Sequence, residues 1–143
     1  MIGIDTTFLV HLEIRESESH AAAMGVLRSR ILGRDREAAL APQVLTEFVH
    51  IVTDPRRFER PLSADQAVGK AGFWWNAREV ARVFPEEESV AQFLAWMKAH
   101  RLGRKRLLDT LLAATYYGCG ITRIATSNAR DYRTFGVFEL IEV

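Results

Sequence analysis

An α/β fold is what this sequence predicts: a three-layer α/β/α sandwich around a central, mostly parallel five-stranded sheet. Three observations lead there. Short apolar segments alternate along the chain with longer segments of helical spacing. Strands separated by helices imply a parallel sheet covered on both faces. The chain has 143 residues, 48% of them hydrophobic. A domain of that size buries roughly two thirds of the surface its unfolded chain exposes, enough for a core without staples. No linker, repeat or low-complexity tract interrupts it, so residues 1–143 read as one domain.

Residues 1–5 (MIGID) are short and apolar and end in a carboxylate, the pattern of a buried strand. Thr6 or Thr7 can cap a helix running to about Leu12. A second helix is expected from Ser19 to Leu32, stopped by Gly33. AALAP at 38–42 is a second strand, and Pro42 suits a helix start. The helix 43–53 ends before Asp54-Pro55. A basic, proline-bounded loop fills 54–62. Ser63 caps a helix expected from Ala64 to about Val80. ARVFP at 81–85 is a third strand. Glu86 to Glu88 place negative charge on the first turn of a helix reaching His100. The helix 105–118 ends among Gly118 and Gly120. ITRIATS at 121–127 is a fourth strand, NARDYRTF a short helix or turn, and GVFELIEV a fifth strand.

Composition narrows the functional classes. Charged residues make up 26%, a normal soluble share, which excludes global disorder. No apolar run approaches the ~18 residues of a membrane span. The first residues carry no basic stretch and include Asp5, unlike a signal peptide. The single cysteine, Cys119, excludes an internal disulfide and a cysteine-cluster zinc site, and is expected to be a buried small residue. The expected compartment is the cytoplasm. Net charge is +1, yet 16 of the 19 basic residues are arginine, the better fork for phosphate.

In open parallel sheets, ligands bind outside the carboxyl ends of the strands. Four carboxylates draw attention there. Asp5 ends the first strand, where a helix N-cap is its plain alternative. Glu47 shares a helix face with Val44 and Ile51, where a charge is costly unless paired. Asp109 interrupts the apolar run Leu107 to Leu112, although its first-turn position also suits the helix dipole. Thr126, Ser127 and Asn128 close the fourth strand and Asp131 follows, an arrangement that also fits an Asx-type cap. Gathered in one cleft, such carboxylates repel one another and raise their pKa values. A divalent cation resolves this, and oxygen-only ligands favour Mg2+ or Mn2+ over zinc.

At these residues the sequence resembles the PIN-domain ribonucleases, specifically the VapC-like toxins of type II toxin–antitoxin pairs. The resemblance is carried by IDTTFLV at 4–10, VLTEFVHIVT at 44–53, LLDTLLAATYYGCGITRIATSN at 107–128 and NARDYRTF at 128–135. It implies a metal-dependent RNA-cleaving enzyme with an acidic cleft for Mg2+ or Mn2+. Asp5 and Asp109 would be metal ligands. Glu47 would be a further ligand or would orient the attacking water. Many relatives have a carboxylate where this chain has Asn128, and Asp131 is the residue that can replace it. Thr6, Thr126 and Asn128 would hold the carboxylates in place. The resemblance also implies an RNA substrate, an antitoxin partner and a homodimer. Residues 64–84, with Phe73, Trp74 and Trp75, are apolar enough to contribute to that dimer.

Two basic clusters are candidates for phosphate contact: Arg56, Arg57 and Arg60 after the Glu47 helix, and Arg101, Arg104, Lys105 and Arg106 before Asp109. Solvated loops or an antitoxin surface are the alternatives. Trp96 reads as core. The four histidines show no metal spacing. Two other classes compete with the nuclease: a silent RNA- or protein-binding module, which Asn128 favours, and a receiver-like phosphoaspartate domain. The latter needs a lysine near the end of a late strand, and Lys70, Lys98 and Lys105 lie elsewhere.

Overall fold

The computed structural model describes residues 1–143. Five strands, β1 (Ile2–Ile4), β2 (Ala38–Leu40), β3 (Val80–Arg82), β4 (Arg123–Thr126) and β5 (Glu139–Glu142), form one sheet in the order β3-β2-β1-β4-β5. All four pairings are parallel, so the sheet is wholly rather than mostly parallel. The helices are α1 (Thr6–Glu13), α2 (His20–Val26), α3 (Pro42–Val52), α4 (Ala64–Trp75), α5 (Glu87–Ala99), α6 (Leu107–Gly118) and α7 (Ala129–Arg133). No helix is long and apolar enough to cross a membrane.

Side-chain alternation separates the layers. Ile4, Ala38, Leu40 and Val80 face Phe8, Leu9 and Leu12 of α1, Leu27 and Ile31, and Trp74 of α4. Gly3, between Ile2 and Ile4, points to the other face. There Tyr116 of α6 lies against the sheet. A Cβ at Gly3 would come within 2.7 Å of the Tyr116 ring, so glycine is required by the close approach. The Tyr116 hydroxyl donates to the Ile4 carbonyl at 2.6 Å, with the Ala39 carbonyl 3.1 Å away. α6 is thereby fixed directly beneath β1, the strand that ends in Asp5.

Several element ends differ from expectation for local reasons. The helix after Ser63 begins with the expected cap, a capping box with Gln66, but stops at Trp75. Asn76 ends it: its side chain bonds the Gly72 carbonyl, and Val80 is then free to pair with Ala38. The expected helix 19–32 starts at His20 and widens into a π-type turn over Leu27–Ile31. Residues Arg104–Arg106 form a tight 3-10 turn ahead of α6 instead of its first residues. β5 starts at Glu139, not at residue 136. Cys119 is exposed, not buried. Trp96 is core, stacked on Phe135 at 4.5 Å. Glu13, at the end of α1, accepts from Lys70 at 2.5 Å and from Trp74 at 2.6 Å, which ties α4 to α1.

Candidate active site

β1 carries Asp5 to the carboxyl edge of the sheet. Asp5 stands at the N-cap of α1, but its carboxylate makes no cap bond. It is 3% exposed and both oxygens are engaged by hydroxyls. Oδ2 accepts from Thr126 at 2.6 Å and from Thr7 at 2.7 Å. Oδ1 accepts from Tyr132 at 2.8 Å. Three charge-assisted bonds offset the desolvation of this buried charge.

Glu47 is half-buried on α3, beside the stripe of Val44, Phe48 and Val52. Its Oε2 accepts from Thr6 at 2.7 Å. Thr6 therefore holds Glu47, not Asp5. Consecutive threonines at the start of α1 thus serve two different carboxylates.

Asp109 sits in the first turn of α6. No hydrogen bond stabilises its charge. Burial, then the charges of Asp5, Asp131 and Glu47, push its pKa up to about 7, against a smaller opposing pull from Arg106. Two neighbours along the chain, Arg106 Nε and Thr110 Oγ1, are buried without hydrogen-bond partners. The start of α6 is where the chain leaves buried polar groups unsatisfied. Leu108, read as part of an apolar run, is 55% exposed, and its carbonyl accepts from Gln43 at 3.2 Å.

Asp131 lies in the first turn of α7. Its carboxylate accepts from the Asn128 side chain and pairs with Arg106 at 3.4 Å. Arg106 also donates to the Asp131 carbonyl. Asn128 is the N-cap residue of α7, but its side chain caps nothing and holds Asp131 instead. Its backbone N–H donates to Thr126 Oγ1 at 2.8 Å.

Asp5, Glu47 and Asp131 thus all lie within electrostatic reach of Asp109, as its shift records. The basic candidates divide. Arg104 and Lys105 are exposed just ahead of α6, while Arg106 is occupied by Asp131. Arg56 and Arg57 are exposed but bound to Asp54, at 3.2 Å and 3.8 Å. Arg57 shares a cleft with Glu13 and Glu16, at the end of α1 away from Asp5. An eight-residue helix is about 12 Å long, so this cluster does not flank the carboxylates.

Three residues escaped the sequence reading. In sequence Thr7 reads as a helix cap. Tyr132 falls in the apolar spacing Ala129, Tyr132, Phe135, which disguises its hydroxyl as core. His11 lies one turn after Thr7. Its ring bonds Ser17 and, at 3.0 Å, Ser127 at the end of β4. Burial lowers its pKa, more than the Asp5 charge raises it.

In donor chemistry the cleft fits a hard divalent cation: oxygen ligands only, with surplus negative charge centred on Asp109. The side chains are not drawn together as a finished cage, since no three acidic, histidine or cysteine groups converge on one point.

No protein-family model matches the chain. A curated relative, Ribonuclease VapC24 of Mycobacterium tuberculosis, is 29% identical over 138 residues, 95% of this chain and 92% of that protein. Among solved structures, M. tuberculosis VapC20, described as a sarcin-ricin loop cleaving toxin, superposes with a TM-score of 0.72 at 16% identity over 93% of this chain and 94% of its own. VapBC-1 from nontypeable Haemophilus influenzae gives 0.68 at 16% identity, over 99% and 98% of the two chains. VapBC2 from Rickettsia felis, bound to a DNA fragment of its promoter, gives 0.66 at 14%, over 98% of each chain. The structural likeness establishes the PIN-like α/β fold.

Proposed function

We propose that this chain, a homologue of the VapC ribonucleases with their PIN-like fold, is the RNA-cleaving toxin of a toxin–antitoxin pair. It hydrolyses RNA phosphodiesters with Mg2+ or Mn2+ held by Asp5 and Asp109. The observation that carries the chemistry is the state of Asp109, an unpartnered carboxylate whose pKa is raised to about 7 by burial and three neighbouring acids. An opposite charge placed among such carboxylates favours their charged form. When bound, the cation polarises a phosphoryl oxygen and lowers the pKa of a water.

The chain's own residues divide the remaining work. Asp5 is rigid and offers a fixed anchor. Glu47 is held through Oε2 by Thr6, which leaves Oε1 to orient the attacking water and take its proton. Asn128 and Arg106 hold Asp131 at the edge of the cluster. Arg104 and Lys105 meet the phosphates beside the cut. Val68 and Phe73, exposed on α4, offer the apolar surface for a homodimer, and the protein partner is an antitoxin.

The test is cleavage of RNA by the purified chain. EDTA should abolish it, added Mg2+ or Mn2+ should restore it, and Asp5→Asn should lack it while keeping a wild-type circular dichroism spectrum. Cleavage that survives EDTA overturns the metal mechanism. A chain that binds RNA but cuts none under any metal is a binding module instead.

A further inference from the structure

The hydrogen bonds around Asp5 determine how it can hold a cation, and Tyr132 is central to that. A carboxylate offers about four lone-pair directions, two on each oxygen. Both directions on Oδ2 are taken, by Thr7 at 2.7 Å and Thr126 at 2.6 Å. One direction on Oδ1 is taken, by the Tyr132 hydroxyl at 2.8 Å. A single lone pair remains, on Oδ1. With Oδ2 closed by Thr7 and Thr126, we infer that Tyr132 is a positioning residue that leaves Asp5 one fixed direction on Oδ1 through which to bind a divalent cation. The inference rests on the reading that Asp5 is a metal ligand.

The aim of Tyr132 is fixed from every side. Its ring is fully buried on α7, with Phe138 edge-on at 6.4 Å. Phe135, one turn later, is stacked on Trp96. Arg106 grips the preceding residue, Asp131, through both carboxylate and carbonyl. Adjacent residues of one short helix therefore act on the cleft in different ways. Asp131 presents charge at its edge, and Tyr132 presents an O–H from within the core. A phenylalanine at 132 would fill the same space and leave Oδ1 with two free lone pairs and no fixed direction.

The experiment compares wild type with Tyr132→Phe in calorimetric titration with Mn2+, without RNA. Outer-shell partners of metal ligands typically contribute 10–100-fold to metal affinity. The variant should bind about tenfold more weakly and lose kcat on RNA with KM unchanged. Equal Mn2+ affinity in a folded variant overturns the inference and leaves Tyr132 a core residue. A wild-type chain that binds no Mn2+ overturns the metal reading itself, and this inference with it. Crystals of the wild type soaked in Mn2+ decide the point without any variant. Contact through Oδ1 alone supports the inference, and contact through Oδ2 or through both oxygens overturns it.

Discussion

Asp5 and Asp109 reach the same cleft from different elements and are treated in opposite ways. Asp5, at the end of β1, is buried under three hydroxyl donors. Asp109, at the start of α6, has none, and its proton is held up to about pH 7. The elements beneath them are locked together, because Tyr116 of α6 bonds the Ile4 carbonyl next to Asp5. The contrast therefore does not reflect loose packing at one end. One carboxylate is fixed by the fold and costs the fold little. The other is left for something outside the chain to neutralise. On the proposed reading, a site that binds and releases a cation would use both: an anchor that does not move, and a charge that is unfavourable until the cation arrives.

Removing the anchor should have the largest effect. Metal-ion catalysis is worth several kcal/mol of transition-state stabilisation, and each 1.36 kcal/mol is a factor of ten. Asp5→Asn should thus lower kcat by about a hundredfold or more. The same variant removes the largest charge acting on Asp109. The Asp109 pKa should then fall back toward its ordinary range, read by NMR titration of its side-chain carboxyl carbon. An unmoved value would break the electrostatic link between the two residues.

Stability should then separate the pair. Thr126→Val takes one donor from Asp5 and the acceptor of the Asn128 N–H. A hydrogen bond to a buried charge is worth about 1.5–3 kcal/mol, and urea unfolding should show a loss of that order. Asp109→Asn should do the reverse. The folded chain holds the Asp109 proton until about pH 7, whereas the group ordinarily gives it up near 3.8. Between those values the folded state binds more protons than the unfolded one. Its stability therefore falls as pH rises across that window and levels off above it. The metal-free wild type should lose Tm between pH 5 and pH 8, Asp109→Asn should flatten that slope, and Mg2+ should restore wild-type Tm at pH 8. A slope unchanged in the variant would assign the pH dependence to another group.

The sequence made one half of this contrast readable and concealed the other. A carboxylate ending an apolar strand and another breaking an apolar helix are visible because charge in such places is costly. The parallel order follows from strands alternating with helices. What satisfies a charge is not written in periodicity. Thr6 and Thr7 are indistinguishable as cap residues, yet one serves Glu47 and the other Asp5. Tyr132 fits the core spacing of α7 so well that its hydroxyl carries no signal. The extra helical turns expected after Trp75 were lost to pairing across the sheet, a long-range contact that local propensity does not record. The loop arginines beside the Glu47 helix were close in sequence to the cleft but are separated from it by the length of a helix.

That separation gives the smallest expected effect. Arg104 and Lys105 precede α6 and are exposed, whereas Arg56 and Arg57 are tied to Asp54 at the far end. Each phosphate contact to a single strand contributes about 0.7 to the slope of log affinity against log salt. RNA binding measured in the Asp5→Asn background, where nothing is cut, isolates this term. Arg104→Ala with Lys105→Ala should lower the slope by about 0.7 per lost contact. Arg56→Ala with Arg57→Ala should leave it unchanged. If both pairs lower the slope equally, the RNA runs along α3 past the end of α1, and the distance between the two basic clusters measures the length of strand the protein grips.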